Sequence, residues 1–329
     1  MDAINNKIIF IAPIDWGIGH SSRCISIIRD LKKNNIVIIG VTIKNIKVFD
    51  SYFPELKKIY IPSYSINYSK KIPLWLKLIL QFPKIYFKIL KEKKQLTKLI
   101  NLHNIDMVIS DNRFGLSNKK IESIFITHQL NIQAPFFSYL ANLINRKYLN
   151  QFNQVWVPDY EQLDKRLSGM LSESSLINIP TKFIGPKTAL IPSNLKEKII
   201  IEFDYLILLS GEEPQRTVLE KLLIKSFTKS NKNIVLVRGS DSKFKIINPL
   251  KITYFNFSFG NELQNLILKS DTIICRSGYS TLMDLYLLKK NKIILIPTPG
   301  QTEQIYLAKY WQNKFGAKAY HQNKIPLFN

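Results

Sequence analysis

Residues 271–311 read DTIICRSGYSTLMDLYLLKKNKIILIPTPGQTEQIYLAKYW, and their pattern alternates strand, turn and helix twice over. The apolar run Thr272 to Cys275 has the length of a parallel strand buried on both faces. Ser277 and Gly278 then open a helix that carries Asp284 about two turns in. A second buried strand, Ile293 to Pro297, gives way to Thr298, Pro299 and Gly300 and to a helix containing Glu303 and Gln304. Two such turns, side by side at the carboxyl ends of parallel strands, suit a phosphorylated ligand. Free backbone N–H groups and the helix dipole favour phosphates, while side chains of the same turns can grip a sugar. The candidate ligand residues here are Arg276, Ser277, Gly278, Ser280, Thr281, Asp284, Glu303 and Gln304.

The pair RSGYSTLMD and IPTPGQTEQ resembles the nucleotide-sugar half of glycosyltransferase family 28. A Gly-containing strand-to-helix turn is weakly specific by itself; the second turn at the right distance carries the likeness. The resemblance extends over about residues 200–318 and weakens toward the N-terminus. It implies that Asp284, where the family usually has Glu, binds the ribose hydroxyls, and that Gln304 binds the donor sugar. It also implies a GT-B fold, α/β, with two Rossmann-like doubly wound domains facing across a cleft. The reaction implied is inverting and metal-independent, moving a sugar from a nucleotide diphosphate (UDP-linked) to an acceptor hydroxyl, with no cofactor. Where the family shows a Gly-Gly-Ser type turn, this chain has SGEEPQR. Ser210, Gly211 and Arg216 are the candidates for the diphosphate there, whereas Glu212 and Glu213 repel it unless they point away.

The N-terminal half has its own alternating pattern. Lys7 to Pro13 reads as a buried strand, followed by IDWGIGHSSRCISIIRDLKKNN. Gly17 and Gly19 permit a tight turn, and Ser21 or Ser22 is placed to cap a helix over about 23–33. Ile36 to Val41 follows as a strand. DMVISDNRFG predicts another, ending at Asp111, Asn112 and Arg113, and Ser123 to Thr127 a third, ending at His128. These polar clusters line one rim of a doubly wound sheet. The GIGH turn resembles the glycine-rich first loop of the same transferases, on the acceptor side. A His after the first strand removes the acceptor's proton in related enzymes, and this implies that role for His20. Its unperturbed pKa near neutrality suits the task. Asp111 is the candidate to orient the ring, and Asp15 is an alternative base. Asp15, Gly17, Gly19, Asn112, Arg113 and His128 form the acceptor-side set, while His103 and His321 read as incidental.

Composition narrows the alternatives. The 329 residues carry 46% hydrophobic and 12% aromatic side chains, enough for two cores. The Pro-rich run from Pro180 to Pro192 predicts the linker, with domains 1–185 and 186–329. Two cysteines, Cys24 and Cys275, have no metal or redox spacing and read as inert thiols in a reducing compartment. The formal net charge is +23, but the lysines are spread along the chain without a nucleic-acid-binding signature, so no nucleic acid is expected. Asp-x-Asp, His-Glu-x-x-His, Cys-x-x-Cys and the phosphate-loop motif are all missing from the sequence, and no metal site is predicted.

One basic stretch stands apart. Residues 70–98 hold nine lysines and one glutamate among Leu, Ile, Phe, Tyr and Trp. Leu74, Leu78, Phe82, Ile85 and Ile89 follow one helical face and Lys77, Lys84, Lys88 and Lys91 another, with Pro83 expected to break or kink the helix. Such a segment suits an anionic bilayer surface, with Trp75 and Phe87 as anchors, or equally a domain helix whose lysine stems cover a core edge. No apolar run reaches membrane-spanning length and the N-terminus lacks a signal-peptide pattern, so a cytoplasmic protein, peripheral at the inner membrane face, is expected. The chain stops at Asn329 without the returning helix that two-domain transferases often carry, so a shortened form with a loosened cleft or reduced activity is expected. An epimerase or hydrolase on a nucleotide sugar, and a non-catalytic sugar-nucleotide binder, remain the alternative functions. The donor sugar and the acceptor are unspecified by sequence.

Overall fold

Continuous apolar runs become buried parallel strands, and the amphipathic segments between them become the covering helices. The computed structural model describes residues 4–15, 18–64, 74–133, 138–175, 177–191, 199–242 and 252–328, with the side chains of 18, 74–80 and 82 excepted. The chain forms two compact units that change over between Ala189 and Leu190.

The first unit is built on strands β1 (Ile8–Pro13), β2 (Ile36–Val41), β3 (Lys58–Tyr60), β4 (Met107–Asp111), β5 (Glu122–Ile126), β6 (Gln154–Val157) and β7 (Thr181–Phe183). They lie in the order β3-β2-β1-β4-β5-β6-β7, every pair parallel. Helices α1 (Ile18–Leu31), α2 (Ile46–Tyr52), α3 (Leu74–His103) and α4 (Ser138–Leu149) connect them. Leu96 and Leu99 of α3 pack on Phe10, Ala12, Ile38 and Val108, so the rear half of this helix seals one part of the sheet. Phe125, Phe152, Val155 and Leu149 make a second core beside it. Each fully buried side chain of this size stabilises the fold by about 1.5–3 kcal/mol.

Two local expectations are corrected. Helix α1 starts at Ile18, so Ser21 and Ser22 stand inside it and Gly19 and His20 fall in its first turn. Pro83 lies within α3, which runs unbroken for 30 residues. Proline removes one helical donor, and the helix is held beyond it by the buried Ile89, Leu96 and Leu99.

The second unit repeats the plan. Strands β8 (Phe203–Leu208), β9 (Ile234–Val237), β10 (Ile252–Phe255), β11 (Ser270–Cys275), β12 (Ile293–Leu295) and β13 (Lys318–Ala319) order as β10-β9-β8-β11-β12-β13, again all parallel. Helices α5 (Gln215–Ser226), α6 (Gly260–Leu268), α7 (Tyr279–Leu287) and α8 (Thr302–Phe315) cover it. Its core joins Ile207, Leu219, Leu223, Phe227 and Ile274, with Phe328 stacked on Phe227 at 4.9 Å between ring centroids. In both sheets the strand order reverses direction beside the first strand, between β1 and β4 and between β8 and β11. Ligands of open α/β sheets bind outside the carboxyl ends at such a switch point.

Candidate active site

At the switch point of the first sheet, β1 leads into α1 and β4 ends on Asp111. The parallel register sets Pro13 beside Asp111, which brings the first turn of α1 over the end of β4. His20 Nδ1 lies 3.0 Å from Asp111 Oδ1, with the carboxylate fully buried and the imidazole 18% exposed. Arg23, one helical turn beyond His20 on the same face, donates from Nε to Asp111 Oδ2 at 2.6 Å and from Nη2 to Oδ1. The same Nη2 is 2.6 Å from His20 Nδ1, and Nη1 is 3.3 Å from His128 Nδ1. The Cys24 thiol donates to Asp111 Oδ2 at 3.4 Å, and Asn112, in the left-handed region at φ 56°, donates to Oδ1 at 3.4 Å.

Electrostatics follow from these contacts. Burial works against ionisation of Asp111, yet the charges of Arg23 and then His20 hold its carboxyl well below the usual carboxylate range. Burial lowers the His20 pKa, Arg23 lowers it further, and Asp111 opposes both. Burial, then Asp111, pushes the Cys24 thiol up. A partly exposed, neutral imidazole backed by a permanent carboxylate is suited to accepting a proton.

The structure brings together His20, Asp111, Asn112 and His128 from the expected set; Gly17 lies outside the described residues, and Gly19 precedes His20 in α1. Arg113 is a correction. Its guanidinium is fully buried and turned inward, donating to Glu92 Oε1 at 2.6 Å and to the carbonyls of Pro62 and Pro13. Tyr64 closes this group by donating to Glu92 Oε2 at 2.5 Å. Gly115 makes it possible, because a Cβ there would sit 2.6 Å from Glu92 Oε2 and 2.7 Å from the Ile89 carbonyl. Asp15 is 2% exposed, and neither carboxylate oxygen has a hydrogen-bond partner among the described residues. A buried carboxylate in that state is costly to keep.

At the switch point of the second sheet, backbone dominates. The Arg276 guanidinium, expected to face a ligand, is instead buried and donates to the carbonyls of Ile296 (3.0 Å), Pro297 (3.2 Å) and Gln215 (2.9 Å). It therefore ties the turn after β11 to the turn after β12 and to the start of α5. Burial pulls its pKa down to about 10, and no carboxylate pairs with it among the described residues. Ser277 Oγ donates to the Gln304 carbonyl at 2.7 Å, and Gln304 Oε1 accepts from the Thr298 N–H at 2.8 Å. These bonds occupy the Ser277 hydroxyl and one end of the Gln304 amide. Gly278 caps α7, and a Cβ added to it would meet nothing within 4 Å. Ser280, Thr281 and Asp284 lie half-buried on that helix. Glu303 is half-buried in the first turn of α8.

The turn after β8 corrects another expectation. Arg216 is buried on Glu220 and on Glu213 (2.6 Å), with Arg238 on the other Glu220 oxygen at 2.7 Å. Arg216 is thus satisfied inside the unit, and Glu213 folds back on it and on Thr217. Ser210 is half-buried, and Gly211 stands exposed at φ 101°, a conformation that favours glycine. Phe257 and Phe259 stack on each other at 6.1 Å. Sequence reasoning missed Arg23, Glu92 and Glu220. Only Arg23 left a trace, its spacing of three from His20 on a helix.

Comparison with known proteins bears on the fold and on the second unit. Residues 212–328 match the family model of the glycosyltransferase family 28 C-terminal domain, and no curated protein matches the sequence. The glycosyltransferase of kitacinnamycin superposes with a TM-score of 0.65 at 12% identity, over 98% of this chain and 88% of that one. An Arabidopsis thaliana protein solved with UDP-L-rhamnose gives 0.62 at 12% identity, over 98% and 87%. MurG of Acinetobacter baumannii gives 0.56 at 15% identity, over 97% and 87%. The fold is that of the GT-B glycosyltransferases, and within the second unit residues 212–328 match the family 28 C-terminal domain.

Proposed function

We propose that this protein transfers a sugar from a nucleotide diphosphate, UDP-linked, to an acceptor hydroxyl with inversion and without a metal. The observation that carries the reading is the His20–Asp111 contact of 3.0 Å at the switch point of the first sheet. His20 Nε2 takes the acceptor's proton as its oxygen attacks the anomeric carbon and the bond to the diphosphate breaks. Asp111 stabilises the imidazolium. The helix N-termini at α7 and α8 and the Ser210–Gly211 turn receive the departing diphosphate through backbone N–H groups. Asp284 holds the ribose, and the Gln304 amide nitrogen, left over by the bond to Thr298, faces the sugar. Asp15, Asn112 and His128 serve the acceptor side. The UDP sugar named for the Arabidopsis relative, and the family 28 domain, support the donor class.

We place the protein at the cytoplasmic face of an anionic membrane, with a lipid-linked or cell-envelope glycan as acceptor. Tyr86, Phe87 and Leu90 are exposed on α3 beside the exposed Lys84 and Lys91, a pairing that suits a bilayer interface. Residues 70–73 of the basic stretch lie outside the described residues, as do the side chains of Leu74, Trp75, Lys77, Leu78 and Phe82. Among the described residues no helix is long and apolar enough to cross a membrane.

The test is a thermal-shift panel of UDP, UDP-GlcNAc, UDP-glucose, UDP-glucuronate and GDP-mannose on the wild type and Asp284→Ala. Stabilisation by one uridine sugar, lost in the variant, supports the donor site. No shift with any of the five sinks the proposal. Release of free sugar without an acceptor converts it to a hydrolase.

A further inference from the structure

We propose that Arg23 is a positioning residue that decides which ring nitrogen of His20 carries the proton. The proposal rests on the reading of His20 as the proton acceptor, but the geometry behind it is independent of that reading. Two groups compete for one nitrogen. Arg23 Nη2 is 2.6 Å and Asp111 Oδ1 is 3.0 Å from His20 Nδ1. A guanidinium has hydrogens and no lone pair, so it requires Nδ1 to accept. A carboxylate has lone pairs and no hydrogen, so it requires Nδ1 to donate. One in-plane position on Nδ1 cannot meet both.

The surroundings decide the contest. Asp111 already receives Arg23 Nε at 2.6 Å, Arg23 Nη2, the Cys24 thiol at 3.4 Å and Asn112 Nδ2 at 3.4 Å, so it stays satisfied without an imidazole N–H. A protonated Nδ1, by contrast, would meet the Arg23 N–H head-on at 2.6 Å. The resting ring therefore holds its proton on Nε2, the nitrogen on which a base would have to receive one. In that state His20 donates a hydrogen bond outward and accepts nothing there.

Arg23 also supplies the release. Its Nη2 is already bound to Asp111 Oδ1, and a small withdrawal from the ring leaves that bond in place. Nδ1 then takes a proton from solvent and turns it to Asp111, while Nε2 gives its own proton to solvent. The lone pair of Nε2 now faces outward, and the ring is 18% exposed to receive a substrate. The titratable and charged groups facing the ring are Arg23 on its own helix, Asp111 at the end of β4 and His128 beyond β5. His128 Nδ1 stands 3.3 Å from Arg23 Nη1 and is the acceptor toward which the guanidinium can shift.

The experiment reads the ring nitrogens of the 15N-histidine-labelled full chain by NMR, with His20→Gln assigning the His20 signals among the four histidines. The expected result is a proton on Nε2 in the wild type and on Nδ1 in Arg23→Gln, with the His20 titration midpoint moved upward in the variant. Arg23→Lys, which keeps the charge but has one nitrogen to offer, should also move the proton to Nδ1, with a smaller rise in midpoint. A wild-type His20 protonated on Nδ1, or an unchanged tautomer in Arg23→Gln, overturns the proposal. If the variants do not fold, a wild-type His20 protonated on Nδ1 still overturns the proposal. Absence of sugar transfer with every donor would remove the proposed function while leaving the tautomer assignment intact.

Discussion

The two switch points hold their charges in opposite ways. Around β1 and β4, side chain meets side chain: one carboxylate, Asp111, is surrounded by His20, Arg23, Cys24 and Asn112. Around β8 and β11, side chain meets backbone: Arg276 donates from Nη1 and Nη2 to three carbonyls, and Ser277 and Gln304 bond to main-chain atoms. In the function proposed above, the first arrangement tunes a proton. The second fixes turns, and in the same proposal it leaves helix N–H groups to an anionic ligand. The second unit also separates two kinds of arginine. Arg216 and Arg238 share Glu220, with Glu213 as a further partner of Arg216, whereas Arg276 has no carboxylate against it among the described residues and keeps its charge below the turns.

The comparison breaks first at His20. His20→Ala should lower the transfer rate by about 10²–10⁴-fold, the ordinary worth of a positioned base, while nucleotide-induced stabilisation is unchanged. Equal loss of donor binding would show that the division of labour between the units is wrong. Next comes Glu220→Ala, which leaves two buried arginines without their shared carboxylate and should cost about 3–5 kcal/mol in denaturant unfolding. Arg276→Met orphans buried carbonyls at about 1–3 kcal/mol each and should also abolish the thermal shift given by a nucleotide. A variant that loses stability yet still binds nucleotide would confine Arg276 to a purely structural part.

The mildest probe is acid. His20 has a folded pKa below its ordinary value of 6.5, so the unfolded chain binds the proton more readily and stability should start to fall as pH drops below that value. Asp111 is depressed from 3.8, so its contribution is whole above that pH and is lost as pH falls further, through the folded value. Unfolding free energy measured from pH 8 downward should therefore decline in two stages, the range in which about pH 5–8 is usually the most stable. Asp111→Asn should flatten the second.

Much of this was legible because the informative strands are runs such as IIFIAP, IVIIGV and SDTIIC, buried on both faces and ended by polar residues. The short edge strands KIY, TKF and KA carry no such run and are defined by pairing with a neighbour, so pattern alone does not mark them. His20 and Asp111 could be expected to meet because one follows β1 and the other ends β4, strands that pair side by side. Arg23, Glu92 and Glu220 were not, since in a single sequence a buried charge on a helix looks like a solvated one. Arg113, Arg216 and Arg276 failed in the converse sense. Their place near a strand end suggested a ligand, and the fold turned each guanidinium inward to Glu92, to Glu220 and to backbone carbonyls.

The repeated strand order has one more consequence. If the two sheets are laid over each other by strand number, Asp111, the last residue of β4, falls at the same address as Cys275, the last of β11, with Arg276 one residue further on. One scaffold thus carries a carboxylate at one switch point and a guanidinium just past the other. The architecture sets where a charge stands, and a single side chain sets its sign.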